Sequence, residues 1–187
     1  MIFTNVVKPT HLCNLNCTYC YNDDTRDPVM TEKTLERVIE QTFDYVKNEA
    51  PQRLVSFIWH GGEPMVAGLK FYEKVVSLQK EYCSDILYSN SIQTNGILID
   101  DKWIDFFRRN NFGISISIDG PQPFHDLFRV DYSGKGSFER VFSAIKMIQK
   151  SGLSVGVCVV ISKANKNYVE EIYDFLDGVE SESFTIC

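Results

Sequence analysis

Six short runs of strand character alternate with five runs of helical character along the 187 residues, and this alternation limits the fold more than any other feature. Ile2 to Lys8 reads as a strand, and Thr31 to Lys47 sets Leu35, Val38, Ile39, Phe43 and Val46 on one helical face. Leu54 to Trp59 is nearly all apolar, as in a parallel strand buried on both faces. Helical spacing returns over Leu69 to Tyr82, followed by a strand at Ile86 to Ile92. Asp100 can cap a helix bearing Trp103, Ile104, Phe106 and Phe107. Ile114, Ile116 and Ile118 alternate as a fourth strand. Phe138, Val141, Ile145 and Ile148 mark a helix that Gly152 can end. Leu153 to Ile161 predicts a fifth strand. Asn167 with Glu170 resembles a capping box opening a helix through Ile172, Tyr173 and Leu176. Phe184 to Ile186 begins a sixth strand. Strict βα alternation of this kind implies a parallel sheet in an α/β fold, either doubly wound or a partial or complete barrel.

The placement of polar and glycine residues favours the barrel. Chemistry-bearing segments follow four successive strands: a cysteine loop, then His60-Gly61-Gly62-Glu63-Pro64, then Gln93-Thr94-Asn95-Gly96, then Ser117, Asp119 and Gly120. An open sheet concentrates its site at one switch point, whereas a barrel gathers groups from many strand ends into one mouth. The expected architecture is therefore a partial (β/α)6 TIM-like barrel that stops at strand six.

Three of the six cysteines, Cys13, Cys17 and Cys20, fall within eight residues in a C-x3-C-x2-C pattern, while Cys83, Cys158 and Cys187 are scattered. A disulfide scaffold would be shorter and would spread its cysteines. Met1 to Thr10 lacks the halves of a signal peptide, and no apolar run approaches the roughly 20 residues of a membrane span. These features predict a cytoplasmic chain with reduced thiols and no membrane partner. Lys and Arg number 19 against 25 Asp and Glu, a net charge of −6, which argues against a general nucleic-acid binder. A content of 44% hydrophobic and 24% charged residues fits an ordinary folded domain.

Three thiolates on a short loop can hold three corners of a cubane iron–sulfur cluster and leave one iron open. A structural zinc site using His11 as fourth ligand is the blander alternative, but zinc more often takes two separated C-x2-C pairs. Cys83, Cys158 and Cys187 read as buried thiols or an end residue. Ser133-Gly134-Lys135-Gly136-Ser137 is not a P-loop, because Arg129 occupies the position of the required earlier glycine. It reads as the turn and cap of the next helix.

The run Cys13-Asn14-Leu15-Asn16-Cys17-Thr18-Tyr19-Cys20 after a first strand resembles the signature loop of the radical S-adenosylmethionine (SAM) enzymes. Gly61-Gly62-Glu63-Pro64 is similar to that family's GGEP segment. Ser117-Ile118-Asp119-Gly120-Pro121, with His125-Asp126 and Arg129, resembles the subgroup that modifies peptides and proteins. This subgroup includes anaerobic sulfatase maturases and ribosomal-peptide maturases, often with a C-terminal SPASM domain. The resemblance runs from about Val7 to Ile161. It implies that Cys13, Cys17 and Cys20 are the metal ligands and catalytic centre of a [4Fe–4S] cluster. SAM would chelate the open iron, and its reductive cleavage would give a 5′-deoxyadenosyl radical that takes hydrogen from a peptide or protein side chain.

The resemblance also implies cofactor contacts. Carbonyls of Gly61, Gly62 and Pro64, or the Glu63 side chain, would take the methionyl ammonium. Ser117 and Asp119 suit ribose hydroxyls, Arg129 suits the methionyl carboxylate, and Tyr19 matches a position near adenine. Asn95 faces cofactor or substrate, and His60 lies at the mouth with no catalytic role assigned. Each has a plain structural alternative: turns for Gly61–Pro64, Asn95-Gly96 and Asp119, a solvated arginine, a loop aromatic.

The segment from Val6 to Thr10, the cysteine loop and Tyr21 most resemble ribosomal-peptide maturases. A sulfatase maturase forming formylglycine from Cys or Ser, and a small-molecule radical SAM dehydrogenase or epimerase, stand as alternatives. A zinc or iron–sulfur module without catalysis is the alternative of a different class. The partners implied are a peptide or protein substrate and an external electron donor of flavodoxin or ferredoxin type. Relatives of this kind are longer, so residues 1–187 are expected to be a radical SAM core completed by a missing C-terminal domain or a partner chain. Strand six is expected to present an open edge.

Overall fold

A computed structural model of the chain describes residues 2–22, 28–49 and 54–187, so Met1 of the strand-like N-terminus lies outside it. Six strands, β1 (Phe3–Val7), β2 (Leu54–Trp59), β3 (Leu87–Thr94), β4 (Phe112–Ser117), β5 (Gly156–Val159) and β6 (Ser183–Ile186), form one sheet in the order β1-β2-β3-β4-β5-β6. Every pairing is parallel. Strands adjacent in sequence are adjacent in space throughout. Right-handed crossovers then place all connecting helices on one face, and the sheet curls toward the other as a half-barrel. A doubly wound sheet needs a reversal of strand order, which is absent here.

The helices are α1 (Glu32–Glu49), α2 (Leu69–Tyr82), α3 (Asp101–Asn110), α4 (Gln122–Phe128), α5 (Phe138–Lys150) and α6 (Val169–Gly178). They pack on alternate strand residues: Val55, Phe57 and Trp59 of β2, Ile92 of β3, Phe112, Ile114 and Ile116 of β4, Val157 and Val159 of β5, all buried. Tyr72 of α2 stands among the rings of Trp59, Trp103, Phe106 and Phe112 at centroid distances of 5.5–6.3 Å, within the range of favourable edge contacts. One buried polar knot interrupts this layer: the Trp59 indole and the Gln79 amide both donate to Asn90 Oδ1 at 2.9 Å, and Asn90 returns a bond to Gln79. Because all its groups are paired, the knot fixes the register of α2 on the sheet without a large desolvation cost.

The opposite face differs in composition. Its residues on β3, β4 and β5 are Ser89, Ser91, Gln93, Gly113, Ser115, Ser117, Gly156 and Cys158, none of them buried. A closed TIM barrel fills its interior with bulky branched side chains. Small polar residues leave this concave face hollow, open to a ligand.

Four local expectations are corrected. The fifth strand ends at Val159 because side chains take both backbone groups of Val160: its N–H donates to Asp119 Oδ1, and its carbonyl accepts from Asn165 Nδ2. Asn167 and Glu170 form no capping box. A 3-10 turn over Lys166–Tyr168 precedes α6, which has no side-chain cap, and the buried side chain is Asn165. Ser137 does not cap α5 with its hydroxyl; Asp126 does, accepting from the Phe138 N–H at 2.8 Å. Helix α4 was not anticipated from its seven residues, which are too few for a periodic signal. Asp100 caps α3 as expected, accepting from the Trp103 N–H. Strand β6 pairs only with β5 and exposes Phe184 and Ile186, so it is an open edge among the described residues.

Candidate active site

The cysteine loop is strapped to the barrel mouth from two sides. The Asn16 N–H donates to the Val130 carbonyl and the Thr18 N–H to the Phe128 carbonyl, at 2.8 and 2.9 Å. Opposite, the N–H groups of Gly62 and Glu63 donate to the carbonyls of Thr10 and Leu12, at 3.1 and 2.8 Å. The second strap explains the paired glycines. Gly61 has φ of +130°, where side chains are strained, and a Cβ on Gly62 would overlap the carbonyls of both His11 and Leu12. The close approach these glycines permit is therefore first of all that of the loop's own backbone.

The mouth encloses a cavity of about 360 Å³, within the range of small-ligand sites. Nine of the twelve site residues predicted from sequence line it: Cys13, Cys17, Cys20, Tyr19, Gly61, Gly62, Asn95, Ser117 and Arg129. Glu63, Pro64 and Asp119 do not, and their expected ligand contacts are corrected.

Glu63 is 1% exposed, and its carboxylate accepts from the Asn95 N–H, the Thr94 hydroxyl and the Met65 N–H at 2.7–3.0 Å. These bonds tie the end of β2 to the end of β3, leaving the Glu63 side chain a positioning role and none with the methionyl ammonium. Burial pushes its carboxyl up to about 6, against the lowering effect of those donors. Pro64 opens a buried 3-10 turn, and its carbonyl accepts from the Tyr72 hydroxyl.

Asp119 is fully buried, so it cannot meet ribose. Its Oδ2 accepts from Arg129 Nε at 2.8 Å and from the Tyr19 hydroxyl, and its Oδ1 accepts from the Val160 N–H. Tyr19 stacks at an angle on Phe128 and lies under the Arg129 guanidinium, 5.5 Å from ring centroid to guanidinium carbon. Asp119 thus locks together the cysteine loop, the segment after α4 and the end of β5. Arg129 spends Nε on that lock while still lining the cavity.

His125 and Ser137 extend this lock, and sequence reasoning gave neither a site role. His125 Nδ1 accepts from the Asp119 N–H, so the ring proton belongs on Nε2, which faces the Ser137 hydroxyl at 2.9 Å; that hydroxyl donates to the Arg129 carbonyl. The chain works only with a neutral imidazole. Burial, and then the nearby Arg129 charge, push His125 down to about 4. A folded-state pKa below the ordinary 6.5 contributes stability that is complete above about pH 6.5 and is lost as pH falls toward about 4, at most about 3 kcal/mol. Denaturant unfolding of wild type and His125→Gln should therefore converge in stability between pH 6.5 and 4. Parallel pH profiles would refute the assignment.

Other cavity residues carried little sequence signal. Gln93 donates to Ser117 Oγ at 2.9 Å, and Asn95 Nδ2 donates to Asn14 Oδ1 at 2.7 Å. His60 Nδ1 accepts from the Gly61 N–H, and burial lowers the pKa of its imidazole. The half-open strand ends bring in Val160, Cys158 and Cys187 as well.

The thiols suit the cluster implied by the sequence. The Leu15 N–H donates to Cys13 Sγ and the Asn22 N–H to Cys20 Sγ, each at 3.4 Å, and Asn95 Nδ2 lies 3.8 Å from Cys13 Sγ. Such N–H···S bonds stabilise ligating thiolates and tune cluster potential. Without positive charge the thiolates are disfavoured: burial pushes Cys13 up to about 11 and raises Cys17 too, with the neighbouring cysteines adding repulsion. Iron ions reverse that balance. Among the described residues no three His, Cys, Asp or Glu side chains converge on one ion. A cubane asks for no such convergence, since each thiolate takes a different iron, whereas a zinc ion shared with His11 would require it. Asn22 Oδ1 is buried with no partner among the described residues, an acceptor beside the cluster loop for a ligand's donor.

No helix among the described residues is long and apolar enough to cross a membrane. The serine-type anaerobic sulfatase-maturating enzyme of Bacteroides thetaiotaomicron is 39% identical over 184 residues, covering 94% of this chain and 43% of that protein. The cysteine-type enzyme of Clostridium novyi is 34% identical over 179 residues, covering 91% and 46%. The chain thus spans a little under half the length of these relatives. Among solved structures, native anSMEcpe with bound AdoMet and Cp18Cys peptide superposes with a TM-score of 0.89 at 31% identity, over 98% of this chain and 50% of that one. Streptococcus suis SuiB bound to precursor peptide SuiA shares the fold, with a TM-score of 0.71 at 19% identity over 98% and 38%. The Radical SAM superfamily profile matches residues 7–176, from the end of β1 into α6, and with the cysteine loop, the glycine strap and the half-barrel this places the chain in the radical SAM superfamily.

Proposed function

We propose that the chain is the radical SAM core, residues 1–187, of an enzyme that removes a hydrogen atom from a peptide or protein side chain. One observation carries the reading: three thiols of one loop share a cavity with the polar ends of β2, β3 and β4 at the mouth of a hollow half-barrel. Cys13, Cys17 and Cys20 would hold a [4Fe–4S] cluster. The cluster and SAM, when bound, supply a hydrogen-abstracting 5′-deoxyadenosyl radical once an electron arrives from a carrier of flavodoxin or ferredoxin type. The protein's residues bind and orient. Carbonyls of Gly61 and Gly62, with Asn95, Ser117 and Arg129, offer acceptors, donors and one cation for the methionyl and ribose groups, and the Tyr19 ring offers a face for adenine. Gln93 and His60 form the polar wall left for substrate.

The sulfatase-maturase reading, oxidation of a Ser or Cys side chain to formylglycine, is favoured over ribosomal-peptide maturation by the 39% and 34% identities to sulfatase-maturating enzymes. The deciding experiment is anaerobic reconstitution with iron and sulfide, reduction, and addition of SAM with Ser- or Cys-containing peptides. The expected result is a brown protein that yields 5′-deoxyadenosine and methionine and a peptide lighter by the lost hydrogens. A colourless protein that leaves SAM intact would overturn the proposal.

A further inference from the structure

Cys158 and Cys187 are 29 residues apart, and neither belongs to the cysteine loop. The fold brings their sulfurs to 3.6 Å, and both line the cavity that holds the loop thiols. Backbone bonds fix this approach. The Cys187 N–H donates to the Val159 carbonyl and its carbonyl accepts from the Ile161 N–H, both at 2.9 Å, so Cys187 stands opposite Val160 and one same-face step beyond Cys158. The two side chains therefore lean toward each other along a diagonal of the ladder.

That geometry discriminates between two fates for the pair. A disulfide wants Cα atoms about 4.4–6.8 Å apart, whereas diagonal neighbours on adjacent strands stand about 7–8 Å apart. A bridging ion fits instead: about 2.3 Å from each sulfur, it would subtend an S–M–S angle of about 103°, close to tetrahedral. We propose that Cys158 and Cys187 form a two-thiolate site for a thiophilic d10 cation such as Zn²⁺, with its remaining coordination positions open to the cavity.

The protein supplies only this pair, since no third His, Cys, Asp or Glu joins it among the described residues. An ion held by two thiolates keeps room for exogenous donors, as ligand-binding metal sites do. Burial pushes the Cys158 thiol up to about 12, so loading the ion displaces protons. Two S–H bonds break, two S–metal bonds form, two protons go to solvent, and no electrons move.

The test is an anaerobic titration of the cluster-loaded protein with Cd²⁺, read by the ultraviolet thiolate-to-metal charge-transfer band. One Cd²⁺ per chain is expected, with affinity at least tenfold weaker in Cys158→Ser and in Cys187→Ser and unchanged in Cys83→Ser. Repeating the titration in a Cys13→Ser/Cys17→Ser/Cys20→Ser chain separates the result from cluster assembly. No band in wild type, or a band that survives in Cys158→Ser and Cys187→Ser, would overturn the proposal. Peptide mapping of the phenylarsine oxide adduct of the wild-type protein avoids reliance on variants that might misfold. A bridge between Cys158 and Cys187 supports the site, and a bridge elsewhere alone overturns it.

Discussion

Asp119→Asn should cost about 3–5 kcal/mol of folding stability, the usual penalty for leaving one partner of a buried ion pair unpaired. The carboxylate is fully buried and serves three donors: Arg129, Tyr19 and the Val160 N–H. An amide keeps one oxygen for Val160 but turns an NH₂ group, or a weaker acceptor, toward Arg129 and Tyr19. The stranded guanidinium accounts for most of the loss. Adding Arg129→Gln to Asp119→Asn should therefore cost far less than the single effect of Arg129→Gln added to that of Asp119→Asn. Urea unfolding of the four chains checks this. Strict additivity would mean that Asp119 and Arg129 do not act as a unit. Because Tyr19 lies between Cys17 and Cys20, Asp119→Asn should also lower iron retention on reconstitution.

Gly62→Ala should displace the cysteine loop. The new methyl group meets two backbone carbonyls, those of His11 and Leu12, and neither can swing away as a side-chain tip would. Forcing extra volume into such a contact typically costs about 1–3 kcal/mol. At 2–3 kcal/mol, charged to the loop, cluster retention falls about 30- to 150-fold. Iron and sulfide content after reconstitution is the measurement, with far-UV circular dichroism to confirm that the half-barrel persists. Gly68→Ala is the control. Gly68 also has positive φ but meets nothing within 4 Å, so it should lose some stability and keep its iron. Equal iron loss in both variants would show that the close approach at Gly62 is not what holds the loop.

Much of the fold was legible because it depends on local pattern. Helix α2 matches its predicted limits residue for residue, and Asp100 caps α3, since both depend only on residue spacing and a side chain three residues from its target. The barrel was readable from polar residues recurring at strand ends. Where prediction failed, a distant partner decided the outcome. Val160 leaves the ladder because Asp119 and Asn165 reach its backbone, and α5 is capped by Asp126 from twelve residues away.

The site divides in the same way. Cys13, Cys17 and Cys20 declare themselves because one loop holds all three, so sequence spacing is already spatial proximity. Glu63 and Asp119 also stand out as motif residues, but their partners lie on other strands, and a carboxylate waiting for a ligand looks the same in sequence as one saturated by the fold. Cys158 and Cys187 looked like bystanders for a related reason: only the pairing of β5 with β6 brings their sulfurs together. By itself the sequence determined the alternation of elements, the direction of the sheet and the identity of the cluster loop, all set by neighbours along the chain. The tertiary structure decided which polar groups face the cavity and which are spent holding its walls, because burial and hydrogen-bond saturation are properties of residues brought together from different strands.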